Sequence, residues 1–227
     1  MHNIDFAVEK GKTTAIIGST GSGKSTIASL LMRFFDIESG SILVDGKDVR
    51  EYSQDVLRGK IGYVPQKAFL FSGTIADNLR HGKKNATEEE MLAACRIAQI
   101  DDFIINSEKG LKTRVSQGGN NFSGGQKQRL SIARAIIKKP DIYIFDDSFS
   151  ALDFKTDARL RSALKDEVGD SAVIIVAQRI STILDADQIV VLDEGKIVGK
   201  GTHKDLLASC TVYQQIAHSQ LSEEELK

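Results

Sequence analysis

The run Gly18-Ser19-Thr20-Gly21-Ser22-Gly23-Lys24-Ser25 constrains this chain more than any other segment. It has the spacing G-x-x-x-x-G-K-[ST] and lies between a β-branched stretch at 13–17 and an amphipathic stretch at 25–35. A strand that enters a helix through such a loop turns backbone N–H groups inward, and the helix N-terminus adds partial positive charge. Those groups suit a phosphate chain. Glycines let the loop wrap, Lys24 reaches toward β- and γ-phosphates, and the Ser25 hydroxyl meets a Mg²⁺ ion. Thr26 stands where a dinucleotide fingerprint needs its third glycine, which excludes that alternative. The candidate ligand loop is therefore Gly18, Ser19, Thr20, Gly21, Ser22, Gly23, Lys24, Ser25 and Thr26.

Short β-branched runs at 3–8, 13–17, 41–44, 61–64, 142–145, 172–176, 188–192 and 196–199 alternate with longer amphipathic stretches. This is the pattern of an α/β protein with a largely parallel sheet. Segments 142–145 and 172–176 are apolar at consecutive positions, as strands covered on both faces are. Between Phe71 and Pro140 the strand signal gives way to helical spacing at 88–97, 101–106 and 124–138, the last stopped by Pro140. The expected organisation is one domain over 1–227, with a core and edge strands from 1–70 and 141–227 and a helical insert at 71–140.

Charge and composition exclude several classes. With 30 Lys and Arg against 31 Asp and Glu the net charge is −1, so no polycationic arm and no nucleic-acid partner is expected. The longest apolar runs, such as 172–177, fall short of the roughly 18 to 20 residues of a spanning helix, so a membrane role needs a partner segment. Residues 1–6 carry neither a basic–apolar leader nor an Arg/Ser-rich transit pattern, and the cytosol is the default location. Cys95 and Cys210 are far apart, without the spacing of a disulfide framework or a thiolate metal site.

A phosphate loop of this kind works with an acid at the end of a buried strand. Ile142-Tyr143-Ile144-Phe145-Asp146-Asp147 supplies two. Asp146 takes the metal-orienting position, and Asp147 stands where a carboxylate polarises an attacking water. The competing reading is that the pair caps the next helix.

At Asn121-Phe122-Ser123-Gly124-Gly125-Gln126-Lys127-Gln128-Arg129 the sequence resembles the ATP-binding cassette family, whose signature is usually L-S-G-G-Q. Here Phe122 replaces the Leu. Ser123 is an N-cap, and Gly124, Gly125 and Gln126 open a helix, a second anion-binding terminus. Other segments follow the family's order over nearly the whole chain: Tyr63-Val64-Pro65-Gln66 is similar to its glutamine loop and Ser150-Ala151-Leu152-Asp153 to its dimer-crossing loop. Residues 70–79 and 115–119 resemble the exporter branch.

The resemblance implies a P-loop NTPase fold with a mostly parallel central sheet, an antiparallel edge subdomain and a helical insert. It implies ATP and Mg²⁺ as ligands, with Ser25, Gln66 and Asp146 toward the metal, and Asp147, Gln66 and Gln178 toward the chemistry. It also implies a second cassette, joined head to tail so that Ser123, Gly124, Gly125 and Gln126 complete the partner's site. A transmembrane domain would hold the chain at the cytoplasmic face of a membrane and export a substrate.

Two positions depart from the family pattern. Glu usually follows the metal-orienting Asp, and this chain has Asp147. The shorter side chain retracts the carboxylate by about an ångström, a displacement that can cost ~10²-fold in rate. In Val176-Ala177-Gln178-Arg179, Gln178 stands where the family has its switch His, and an amide cannot become cationic. Both departures resemble the degenerate half of a heterodimeric exporter, with slow turnover at its own site. The family also stacks adenine on an aromatic upstream of the loop, but only Phe6 precedes Gly18. A fragment lacking its first strand is the expectation. Two further readings stay open: a non-hydrolysing nucleotide-binding regulatory module, and a soluble cassette ATPase of DNA repair or translation. The latter is expected to carry coiled-coil heptads, zinc cysteines or a second cassette.

Overall fold

The structure, a computed structural model, describes residues 1–222, so the last five residues of the expected 141–227 span lie outside it. In chain order the elements are β1 (Thr13–Gly18), α1 (Lys24–Leu31), β2 (Leu43–Val44), β3 (Lys47–Asp48), α2 (Gln54–Lys60), β4 (Ile61–Val64), β5 (Gly73–Thr74) and α3 (Ile75–Arg80). They continue with α4 (Glu88–Ile97), α5 (Asp101–Asn106), β6 (Arg114–Val115), α6 (Gly124–Ile136), β7 (Ile142–Asp146) and α7 (Phe154–Glu167). The last are β8 (Ala172–Val176), β9 (Gln188–Asp193), β10 (Lys196–Gly201), α8 (His203–Ser209) and α9 (Thr211–Gln220). Their packing forms two units. The first comprises 1–61, 141–147 and 170 onward, and the second 62–140 and 148–169.

The first unit is built on a sheet in which β10, β9, β1, β8 and β7 lie side by side in that order. Strands β9, β1, β8 and β7 run parallel, with Ala15 opposite both Ile175 and Ile189. All of β8 is buried, the condition of a strand covered on both faces. Helices α1 and α9 both pack against β1. Strand β10 is antiparallel and shows the alternating exposure of an edge. It joins β9 through Glu194 and Gly195, both at positive φ (43° and 74°), the backbone that a two-residue hairpin favours. The β2–β3 hairpin repeats this device with Asp45 and Gly46 at φ 50° and 76°.

The second unit is helical. Helix α6 packs on α3 and α4, and α4 packs on α7. Three helices begin in reciprocal capping boxes: Thr74 with Asp77, Thr87 with Glu90, and Ser123 with Gln126. Each box satisfies two N-terminal amides that helical bonding leaves unpaired. Asn78 is buried yet fully employed: its Oδ1 accepts from the Phe71 amide and its Nδ2 donates to the carbonyls of Phe71 and Thr74. That loop is thereby tied to α3.

The sheet agrees with the α/β expectation, with local differences. Residues 3–8 form no strand: exposure alternates along them, but Asn3 sits at φ 50° and no ladder forms. The expected strand at 41–44 contracts to β2, because its hairpin closes within two residues. Helix α6 stops at Ile136, and Lys139 at φ 50° turns the chain before Pro140. Short strands β5 and β6 occur inside the helical segment, and α7 groups with it. Among the described residues no helix is long and apolar enough to cross a membrane. Both cysteines are buried, and burial pushes the Cys95 thiol up to about 12.

Ile189 is fully buried in β9, against β1. Replacing it with Ala removes its buried methylenes and leaves a cavity, which costs about 2 to 5 kcal/mol. Urea denaturation of Ile189→Ala is expected to show a lower midpoint with an unchanged slope.

Candidate functional site

The carboxyl ends of β1, β7 and β8 lie side by side because the strands are parallel and in register, with Asp146 and Ile16 both opposite Val176. Residues just beyond parallel strands, at such an edge, are where α/β sheets bind ligands. Backbone bonds continue the alignment past the strands: the Ala177 amide donates to the Ile16 carbonyl at 3.0 Å, and the Asp147 amide to the Val176 carbonyl at 2.8 Å.

From β1 the chain enters residues 18–23, which wrap into α1. Two glycines are required there for different reasons. A Cβ on Gly18 would stand 2.1 Å from the Leu192 carbonyl oxygen, so no other residue fits beside β9. Gly23, the cap residue just before α1, has φ 103°, a conformation that L side chains resist. The Ser22 hydroxyl is buried without a hydrogen-bond partner, an orphaned polar atom inside a loop of amides. The Met1 side chain lies close to Gly23, 3.4 Å from where a Cβ there would stand.

Lys24 is only 8% exposed and turns its ammonium back into the loop, donating to the Gly18 and Ser19 carbonyls at 2.8 Å each. Burial holds its pKa below the usual lysine value, against the pull of Asp147 and then Asp146. The Ser25 hydroxyl donates to Asp146 Oδ1 at 3.1 Å. This contact unites two sequence-predicted residues 121 positions apart. Asp146 and Asp147 are both buried. Asp147 sits at φ 46°, a region that short polar side chains tolerate better than long ones. Neither acid caps the following helix, because Asp153 does, accepting from the Thr156 amide at 2.9 Å. Gln178 follows β8 with an exposed side chain, and its carbonyl accepts from the Gln220 side chain. Ser19, Thr20, Gly21, Ser25 and Thr26 are exposed at the mouth of the loop.

In the second unit, Ser123 caps α6: its Oγ accepts from the Gln126 amide at 3.2 Å, and Gln126 Oε1 accepts from the Ser123 amide at 2.8 Å. Ser123 and Gly124 are exposed. A Cβ on Gly125 would meet the Ala151 carbonyl oxygen at 3.6 Å, so the helix start lies against the loop ending at Asp153. Phe122 is buried edge-on against Phe103, which accounts for an aromatic in place of Leu. Gln66 is exposed in the turn after β4, and the preceding Pro65 carbonyl accepts from the buried Gln128 of α6 at 3.1 Å. Sequence reasoning missed Gln128 and Gln220 as supports of these turns. Glutamine at a helical position carries no local signal of such a bond.

The Lys24 environment predicts a titration. Removing a neighbouring negative charge weakens the ammonium form, so Asp147→Asn is expected to lower the Lys24 pKa further, and Asp146→Asn to do so by less. The folded pKa already lies below the unfolded one, so the charged side chain costs stability throughout the range below its folded pKa. That cost is relieved as pH rises from the folded toward the unfolded value. An NMR titration of the Lys24 side chain in both variants checks the order of effects.

The comparisons with known proteins agree with this geometry. Residues 1–150 match the family model described as ABC transporter. An uncharacterized ABC transporter ATP-binding protein of Mycobacterium tuberculosis is 54% identical over 223 residues, 97% of this chain and 38% of that protein. A putative multidrug export ATP-binding/permease protein of Staphylococcus aureus is 43% identical over 216 residues, 95% of this chain and 37% of its own length. A bacterial Atm1-family ABC exporter solved with ATP bound superposes with a TM-score of 0.92 at 41% identity, over 96% of this chain and 38% of that one. The chain thus spans less than two-fifths of these relatives. With its phosphate loop, strand-end carboxylates and capped signature helix, it belongs to the ABC transporter family.

Proposed function

We propose that the chain is a single ATP-binding and ATP-hydrolysing cassette that powers export by a membrane partner, with slow turnover at its own site. The observation that carries this reading is the Ser25 hydroxyl on Asp146, beneath a loop whose Lys24 ammonium is held by the Gly18 and Ser19 carbonyls. The names of its relatives, ABC transporter ATP-binding and multidrug export proteins, support transport over DNA repair or translation.

The donor set fits Mg²⁺. Among the described residues no three His, Cys, Asp or Glu side chains converge as a metal cage. A hydroxyl, one carboxylate and ligand oxygens are the surroundings this cation accepts beside a phosphate chain. Ser25 and Asp146 would hold it, with Gln66 as a further oxygen, and bound there it would neutralise charge between the β- and γ-phosphates. The residues of the loop do the rest. The loop's free amides would meet the phosphates, the orphaned Ser22 hydroxyl would gain an acceptor, and Lys24 would exchange two carbonyls for phosphate oxygens. Thr26 closes the loop at the start of α1. Asp147 takes the proton of the attacking water. Gln178 donates to the γ-phosphate as a neutral amide, without the charge that a protonated imidazole supplies.

Ser123, Gly124, Gly125 and Gln126 serve the other nucleotide, in a head-to-tail pair with a second, non-identical cassette. The capped, exposed start of α6 is the anion-binding terminus that role requires. The pair would stand at the cytoplasmic face of a membrane beneath its transmembrane partner. Asp147 and Gln178 also favour a second reading, a regulatory module that binds nucleotide without turnover.

Calorimetry and phosphate release test these readings. Wild type is expected to bind ATP with Mg²⁺ and hydrolyse it slowly, and Lys24→Ala to lose most of that affinity; equal affinity would remove the phosphate assignment. No phosphate release from wild type, even with a partner cassette, would favour the regulatory module. In a mixed dimer, Asp147→Glu with Gln178→His is expected to raise turnover by more than the product of the single effects. Asp147→Glu is also expected to lower stability slightly, since the longer side chain enters the left-handed region. Gly125→Asp is expected to stop turnover in that dimer while sparing ATP at this chain's own loop, because its carboxylate would oppose the partner's phosphate. Crosslinking of labelled ATP to each chain reads this out.

A further inference from the structure

Helix α9 ends at Gln220, whose side-chain amide reaches the segment that follows β8. Its Nε2 donates to the Gln178 carbonyl at 2.8 Å, and its Oε1 accepts from the Ile180 amide at 2.8 Å. The two backbone groups flank Arg179, which is extended at φ −101° and ψ 128°. In an extended chain the carbonyl of one residue and the amide two positions on point to the same side, where a neighbouring strand would normally pair with them. Strand β8 has ended at Val176, and the side-chain amide takes that strand's place. Glutamine alone among uncharged long side chains, apart from the shorter Asn, presents a donor and an acceptor together in this way.

Both ends of this connection are anchored. Ile180, which opens the short turn Ile180–Thr182, and Ile183, which follows it, are both buried. On α9, Tyr213 and Ala217 are fully buried, and the Tyr213 hydroxyl bonds His203 Nδ1 at 2.7 Å. The helix packs on β1, β9 and the 180–182 turn. One helix therefore supports the strand that feeds residues 18–23 and grips the segment that carries Gln178.

We infer that Gln220 is a positioning residue: its amide holds Arg179 extended between Gln178 and Ile180, so that the seating of α9 sets where Gln178 stands relative to the phosphate loop. This rests on the proposed reading of Gln178 as a group facing the γ-phosphate. It adds a control point 42 residues away, on the helix that closes the first unit.

Gln220→Met keeps the length and helix propensity of the side chain and removes both bonds. Gln220→Glu keeps the acceptor for Ile180 but sets a carboxylate oxygen against the Gln178 carbonyl. Hydrogen exchange of the nucleotide-free chain is expected to show the Ile180 amide opening about five- to tenfold faster in Gln220→Met, the effect of losing two solvent-accessible bonds, and near wild-type rates in Gln220→Glu. Thermal unfolding is expected to be little changed. With a partner cassette whose own phosphate loop is inactivated, so that turnover reports this chain's site, both variants are expected to lower kcat several-fold at unchanged KM for ATP, and the loss is expected to vanish in a Gln178→Ala background. Unchanged Ile180 exchange in Gln220→Met would overturn the inference. So would a kcat loss that persists in full without Gln178, or a loss of kcat and ATP affinity together with a lowered melting temperature, which marks a merely structural tie. If wild type proves to lack turnover, the functional reading fails on its own. Ile180 exchange, with the same double-variant cycle read in the affinity for a non-hydrolysable ATP analogue, then decides the positioning role.

Discussion

Parallel pairing of β7, β8 and β1 places three carboxyl ends at one edge of the sheet, and the phosphate loop, Asp146, Asp147 and Gln178 all start from that edge. The pairing is enforced by burial: the interiors of these strands are closed to water on both faces, so a slip of one residue would exchange the side chains packed on the two sides of the sheet and leave buried backbone groups at the strand ends unpaired. Two backbone bonds then carry the alignment past the last residues of the strands, from Ala177 to Ile16 and from Asp147 to Val176. The loops that follow start from fixed points. Small displacements between reacting groups are costly, and a packed sheet is the stiffest support a chain of this size can supply.

Electrostatics at that edge is a balance between burial and charge. Lys24 is buried, and desolvation outweighs the attraction of Asp147 and Asp146, so its pKa falls. Two backbone carbonyls meet its donors meanwhile. A buried cation whose partners are neutral carbonyls gains from an arriving phosphate, since the charge then finds an opposite charge. The same loop leaves the Ser22 hydroxyl unpartnered. These features are costs in the isolated chain that a phosphate chain would relieve, and natural proteins keep such costs mainly where they bind something.

The helical unit follows a different economy. Its helices run from 6 residues in α3 to 14 in α7, and reciprocal caps at Thr74, Thr87 and Ser123 fix where three of them begin. Gln128 and Gln220 show a recurrent device in the two units. A glutamine on a helix reaches out to the backbone of a turn that carries a candidate site residue, Gln66 in one case and Gln178 in the other. Such bonds cost little to make and leave the turn adjustable, unlike a buried apolar wedge.

What the sequence determined by itself is the part governed by local chemistry. The phosphate loop, the acids ending β7, the signature with its cap and the apolar β8 are contiguous runs, and each needs particular residue types within a few positions. They were legible because steric and hydrogen-bonding requirements of that kind are written residue by residue. The failures fall where local pattern lacks a partner or a terminator. Residues 3–8 alternate like a strand but form no ladder, and 41–44 pair only where the Asp45-Gly46 turn lets them. Tertiary structure alone decided that Ser25 meets Asp146, that Gly18 must clear the Leu192 carbonyl, and that Gln220 grips both sides of Arg179. Each of these joins residues that the chain separates by dozens to more than a hundred positions. Their proximity follows from the order in which parallel strands are laid down, a property of the packed sheet that no local stretch of sequence contains.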